Sequence, residues 1–358
     1  MFFRDLKEKH MSGRRSLIIH MSWLIACLLA AIIFAASIGA AKLSMADSFR
    51  IILSGIPGMD HLLHADQIRD VYFHIVWEIR MPRILLSGLV GGSLAFVGAT
   101  FQGLFRNSLA DPHILGVSSG AAVGATIAMV SGISITFLGL SAICLSAFAG
   151  AAITAFVVYR LSCIGNRLPT IHLLLTGIAV GSFLTATISI IMACNRDQIE
   201  KVYIWTLGSF SSATMVKVKI VLLFAALITT MVFLEARKLD IISTGDETAE
   251  SLGVHTGNMK KRLILFSSLL VGACVSVSGI IGFVGLIIPH GMRLLSGPRH
   301  ARLLPLCFVS GAIFMILCDA IARTVTAPTE IPVGVITSIV GAPYFIFLLT
   351  RSKRKLVV

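Results

Sequence analysis

The groups in this sequence best placed to do chemistry are ionisable side chains at the ends of apolar runs. Asp319 lies within such a run, four residues ahead of Arg323, and that spacing puts both on one helical face, where they pair. An acid inside a membrane is functional by default, for instance in a proton relay. A neutralised pair near the outer helix end is the structural alternative, and a proton-driven carrier would carry more buried carboxylates than this chain does. Arg80 and Arg83 bracket Met81 and Pro82 just before the second apolar run, and Arg323 lies near the outer end of the ninth. Such arginines act as interfacial anchors or as an electropositive rim for carboxylates of an external protein, since guanidinium suits bidentate carboxylate binding. His290, beside Pro289, has no partners at metal-ligand spacing. Ser118 and Ser119 lack the His and Asp pattern of an activated nucleophile. No GxxxxGK[ST] loop occurs anywhere, so the chain does not bind ATP by that device. No cofactor is implied.

A second feature is polar. Residues 239–262, LDIISTGDETAESLGVHTGNMKKR, lie between two strongly apolar runs. The segment reads as a short helix with explicit ends. Thr244 and Glu247 have capping-box spacing, and Asp246, Glu247 and Glu250 sit near the positive end of the helix dipole. Gly253 stands where a helix stop belongs. A short helix projecting from a bilayer fits a partner's groove and transmits motion.

These residues need a scaffold, and composition defines it. Hydrophobic residues make up 56% of 358 and charged residues 13%, and the mean hydropathy is +0.92. Those values exclude an ordinary soluble domain. A bilayer core of about 30 Å needs about 20 apolar residues per helix, so the expected fold is an all-α polytopic membrane protein. Alternating ten-residue strands of an outer-membrane barrel are missing. Ten spans are expected, at 17–41, 84–105, 114–131, 136–159, 169–194, 216–236, 263–281, 282–297, 303–325 and 333–350, the eighth short and interrupted by Gly and Pro. They form one domain over 17–350, between basic cytoplasmic tails at 1–16 and 351–358. No cleavage site follows the first run, which reads as a retained helix.

Ten spans put both termini on one side. Twenty of the thirty Lys and Arg residues then fall in the inner segments of this arrangement, which makes the termini and the 239–262 island cytoplasmic. The net charge of +13 is therefore a topology signal rather than a nucleic-acid surface. Acids such as Asp60, Asp66 and Asp70 lie outside, and Trp77 and Trp205 fall near outer ends. Segment 42–79, containing Pro57, is expected to pack as short interfacial helices. The seven cysteines are scattered without a CxxC pair, as small packing residues would be. Gly116, Gly120 and Gly124 repeat every fourth residue, as do Gly177 and Gly181, a pattern that lets helices approach closely in lipid.

Longer strings resemble a known family. RMPR at 80–83, FQGLFRNSLADPHILGVSSGAAVGA at 101–125, GDETAESLGV at 245–254, GIIGFVGLIIPHGMR at 279–293, DAIARTVTAPTEIPVG at 319–334 and GAPYF at 341–345 are similar to the iron-chelate and cobalamin permeases of bacterial ABC importers. Ser108 replaces a common proline and Ile331 a usual leucine. The resemblance implies a type II importer permease of ten helices in the inner membrane. It also implies a second permease copy or related chain, two cytoplasmic ATP-binding subunits and an extracytoplasmic substrate-binding protein. Arg80, Arg83 and Arg323 would then receive the binding protein's carboxylates. Thr244, Asp246, Glu247, Glu250, Leu252 and Gly253 would meet an ATPase. Ferric siderophore is the first expectation for cargo, with haem and cobalamin as alternatives. A stand-alone secondary transporter or channel is the rival reading, and it leaves the polar island without a role.

Overall fold

In a bilayer every backbone N–H and C=O must be satisfied within the protein, so long apolar runs become helices. The computed structural model describes residues 2–39, 43–55, 70–133, 135–165 and 168–356. Its helices are α1 (Phe2–Ser37), α2 (Met45–Ser54), α3 (Asp70–His74), α4 (Met81–Leu104), α5 (Val117–Val130), α6 (Ala142–Ser162), α7 (Thr170–Cys194) and α8 (Ile199–Thr206). They continue as α9 (Met215–Leu234), α10 (Ala236–Ile242), α11 (Asp246–Ser251), α12 (Thr256–Ser278), α13 (Val284–Ser296), α14 (His300–Thr324) and α15 (Val333–Leu356). Among the described residues, 7 helices are long and apolar enough to cross a membrane, and three shorter apolar ones (α5, α13 and Val333–Phe347 of α15) accompany them. Together they correspond to the ten expected spans.

The differences are local and physical. Span 136–159 starts late, because Thr136–Phe137 and Leu140–Ser141 form a two-stranded hairpin turning at Gly139 (φ +75°). α6 begins only after Ser141, whose hydroxyl caps it by accepting from Cys144 N–H. The third and eighth spans shorten to α5, of 14 residues, and α13, of 13. At 1.5 Å per residue each reaches only about 20 Å. Irregular backbone at 107–116, which includes one 3-10 turn at Pro112–Leu115, and at 279–283 makes up the depth, and lipid tolerates it only when protein surrounds it. In the 42–79 segment, α2 and α3 are short helices as expected. Pro57, Asp60 and Asp66 lie outside the described residues. Trp77 donates its indole N–H to Ile51 O of α2 (3.0 Å) and so packs on protein.

α4 is the central helix, buried nearly all round, and joins α3 through a π turn at Ile75–Arg80. Pro82 has no N–H to give the preceding turn, and the wider π winding accommodates that loss, with Met81 N–H reaching back to Val76 O. α14 is its principal neighbour. The two touch through backbone: a Cβ at Gly311 would stand 2.5 Å from Gly91 O and 2.5 Å from Ala95 Cβ. In the α5–α6 pair, a Cβ on Gly120 would stand 2.6 Å from Gly150 O, and Gly124 is packed equally close to α6. Gly116 does not share their helical face. It is the left-handed residue (φ +70°) that breaks the chain before α5, and it faces Gly177 and Gly181 of α7. Gly311→Leu is expected to force α4 and α14 apart, costing about 1–3 kcal/mol, read as a lower melting temperature of the detergent-solubilised permease. Unchanged melting would mean the contact is not tight.

Candidate functional site

At the outer end, the three arginines form one cluster with two carboxylates. Arg83, in the first turn of α4, holds Asp319 of α14 with Nε (3.0 Å to each oxygen) and Nη2 (2.9 Å). Its Nη1 holds both oxygens of Glu330, at 2.8 and 2.9 Å, in the loop between α14 and α15. Arg323 pairs with Asp319 one turn back (Nε to Oδ2, 3.3 Å) and donates through Nη2 to Ala35 O (3.2 Å). Arg80 donates to Ala36 O. Ala35 and Ala36 lie in the last turn of α1, whose carbonyls lack helical partners and attract cations. Two arginines from other helices therefore cap α1.

The arginines from which an electropositive rim is expected lie beneath the surface of this chain. Arg80 and Arg83 are buried, and the Arg323 side chain is nearly so. Burial follows from the pairing. Asp319 is 1% exposed, and a charge at that depth is tolerable only when paired and hydrogen-bonded. The Asp319–Arg323 pair proposed from i,i+4 spacing exists, but Arg83, 236 residues distant in sequence, is the closer partner. Glu330 was missed entirely. The only signal for it was its place in the TAPTEIPVG block.

Midway through the protein the two helix breaks meet. His113 donates from Nε2 to Ile281 O (2.8 Å) and accepts at Nδ1 from the Ser118 hydroxyl. The carbonyl partner requires the proton on Nε2. Asp111 Oδ1 caps the turn by accepting from His113 N–H (2.8 Å). Ser118, considered above as a nucleophile, thus orients a structural histidine. Ser119 instead lines a cavity of about 320 Å³ with Thr185, Ser189, Tyr203 and Thr206, a wall of hydroxyls and apolar groups without charge. His290 lies on α13, and among the described residues no three His, Cys, Asp or Glu side chains converge as metal ligands.

At the cytoplasmic end, α10 and α11 form a small platform held to the bundle by Leu239, Ile242, Ala249 and Val254, all buried. The capping box is not formed. α11 begins at Asp246 behind Gly245 (φ +140°), with no side-chain cap. That places Thr244 one residue too early, and its hydroxyl donates to Ile241 O (2.8 Å), closing α10 instead. Gly253 does end the helix. With φ +81° it donates to Glu250 O, and Val254 N–H reaches Ala249 O, both at 2.9 Å, the paired bonds of a Schellman stop.

The acids of α11 divide by partner. Asp246 takes the buried Lys260 ammonium of α12 at 2.6 Å, with Arg106 at 3.9 Å, and Glu250 accepts from Thr256 Oγ1 (2.7 Å). Glu247 and Leu252 point outward, Leu252 being 64% exposed. Beside them, Asp240 Oδ1 accepts from both the backbone N–H (2.8 Å) and Nδ1 (2.6 Å) of His300, capping the start of α14 from another helix. Sequence reading did not find Lys260, Asp240 or His300, because nothing local signals a partner so far along the chain.

A membrane bundle with irregular half-depth helices, an ionic cluster at one face and a tethered short helix at the other is the architecture of a type II ABC importer permease. The chain belongs to the FecCD transport family, whose model matches residues 27–351. It is an integral inner-membrane protein and a transport permease. It is 38% identical over 288 residues to the hemin transport system permease protein HmuU of Yersinia pestis, covering 80% of this chain and 86% of the relative. It is 41% identical over 275 residues to the cobalamin import system permease protein BtuC of Halobacterium salinarum, covering 77% and 73%. To the iron(3+)-hydroxamate import system permease protein FhuB of Bacillus subtilis it is 36% identical over 306 residues, covering 82% and 78%. Among solved structures, a metal-chelate type ABC transporter in an inward-facing conformation matches with TM-score 0.79 at 30% identity, over 93% of this chain and 99% of that one.

Replacing Asp319 by Ala leaves buried guanidinium charge uncompensated and is expected to cost about 3–5 kcal/mol. Thermal unfolding of the purified permease checks this. A melting curve like that of wild type would show that the cluster holds no buried charge.

Proposed function

We propose that this chain is the translocation subunit of an ATP-driven importer whose cargo is an iron chelate, a ferric siderophore before haem or cobalamin. The observation that carries the energetic half is the exposed acid Glu247 and the exposed apolar Leu252 on a short helix anchored to the bundle by buried Ala249 and the Asp246–Lys260 pair, in a chain without a phosphate-binding loop. An apolar knob beside an acid on a short, anchored helix suits insertion into a cleft of another protein. Two cytoplasmic ATP-binding subunits are the partners that fit. Thr244, Asp246, Glu250 and Gly253 shape and hold the helix, while Glu247 and Leu252 make the contact. An extracytoplasmic binding protein delivers cargo at the arginine cluster, and a second permease copy or related chain covers the exposed apolar side of α7. Membrane lipid surrounds the assembly, and nucleic acid has no part in it.

The mechanism is alternating access. Closure of the ATPase pair moves α11, and that displacement re-gates the pathway. The cavity between α5, α7 and α8 is lined by apolar and hydroxyl side chains and carries no charged group that would hold a ligand tightly. The relatives named for hydroxamate, haem and cobalamin are all 36–41% identical to this chain, so identity does not rank the cargoes; the ferric siderophore stands first as the commonest cargo of the family. Direct measurement of the ligand held by the cognate binding protein tests the choice. Ion-driven uptake into liposomes by the chain alone would replace the importer with a secondary transporter or channel.

Two outcomes test the partners. Leu252→Arg combined with Glu247→Lys is expected to abolish co-purification of the ATPase while leaving permease melting unchanged. Retained co-purification with coupled transport would remove the α11 contact. At the outer face, Arg83→Lys keeps the charge but loses the two-pronged donor. It is expected to weaken binding-protein docking about tenfold, with raised salt weakening wild-type docking as well. Equal docking by variant and wild type would end the arginine reading.

A further inference from the structure

Glu330 and Asp319 share Arg83 but differ in every other respect. Asp319 is fixed on α14, 1% exposed, and also paired with Arg323. The Glu330 side chain is 39% exposed, and it ends the solvent-facing stretch 324–330. Among the described residues its only hydrogen-bond donor is Arg83. Arg83 itself is 10% exposed, so a carboxylate arriving from outside meets Glu330 before it meets the guanidinium. The Nη1 group held by Glu330 is the outward prong of the fork. The inward prong, Nε with Nη2, is saturated by Asp319.

Resting on the reading of Arg83 as a docking residue, we propose that Glu330 is an intramolecular stand-in for the binding protein's carboxylate, occupying the outward prong of Arg83 until docking displaces it. The exchange conserves charge. One carboxylate leaves Nη1 for water as another arrives, and Arg83 remains paired with Asp319 throughout, so no buried charge is ever uncompensated. Glu330 has little else to lose, being half in solvent already. The stand-in also excludes weak partners. A lone chloride or a poorly placed acid gains nothing over Glu330, whereas a carboxylate backed by the remainder of a protein interface does.

The test measures docking of the purified binding protein to the permease–ATPase complex in nanodiscs by surface plasmon resonance. Glu330→Gln removes the competing charge and is expected to tighten docking about two- to fivefold, roughly the strength of one partly exposed ion pair. Glu330→Asp, which keeps the charge but shortens the reach, is expected to tighten docking by a smaller factor and covers the case in which E330Q does not assemble. Arg83→Lys is run alongside. Docking that weakens in R83K but is unchanged or weaker in E330Q and E330D overturns the stand-in alone. Docking indifferent to R83K overturns the arginine reading on which it rests.

Discussion

Arg83 meets an Asp319 that is almost wholly shielded from water, at the outer end of two helices whose backbones touch at Gly91 and Gly311. Neither partner is affordable there without the other, so the pair fixes the register of α4 against α14 as well as their proximity. A slip by one residue along either helix would strand a charge in the bundle. Small residues permit the approach and the ion pair selects one alignment of it. Arg323 and Arg80 extend the constraint to α1 by satisfying its terminal carbonyls. The outer ends of three spans are thereby one electrostatic unit of three cations and two carboxylates.

Both rods continue to the other membrane face. α4 has 24 residues and α14 has 25, about 36 Å at 1.5 Å per residue. At their inner ends stand the groups that hold the α10–α11 platform. Asp240 caps α14 through His300, and Arg106, just past α4, faces Asp246. The platform thus contacts the inner ends of the two helices whose outer ends carry the arginine cluster. Rigid, close-packed rods shift as bodies rather than deform, which gives a physical route by which events on one face bias the other.

Hydropathy and length made the spans legible, since lipid leaves the backbone so few options. Composition predicts spans 114–131 and 282–297 longer than the helices α5 and α13 that form, because a broken helix and a whole one share the same composition. What distinguishes them is the hydrogen bond from His113 to Ile281, between residues 168 apart. The residue types of Arg80, Arg83 and Arg323 mark them as a group in sequence, but not as buried, because the decisive partners are not neighbours in sequence. Thr244 shows the converse failure. Its spacing to Glu247 satisfied a local rule, yet α10 ends so close by that the hydroxyl closes that helix instead. Gly253 succeeded because a left-handed stop depends only on the glycine itself.

The three acids on the short helix α11 look equivalent in sequence, and net charge alone would treat them so. In the folded chain Asp246 is already paired with a buried lysine and Glu250 with Thr256. Their energies are committed to holding α11 at a fixed angle on α12. A helix with fewer than two turns cannot keep its shape by its own hydrogen bonds, so those tethers are what make it a rigid object at all. Only because two acids are occupied internally do Glu247 and Leu252 occupy defined positions outside. Rigidity on the inner side of α11 and availability on its outer side are therefore one property, produced by the division of its acids between the bundle and the solvent.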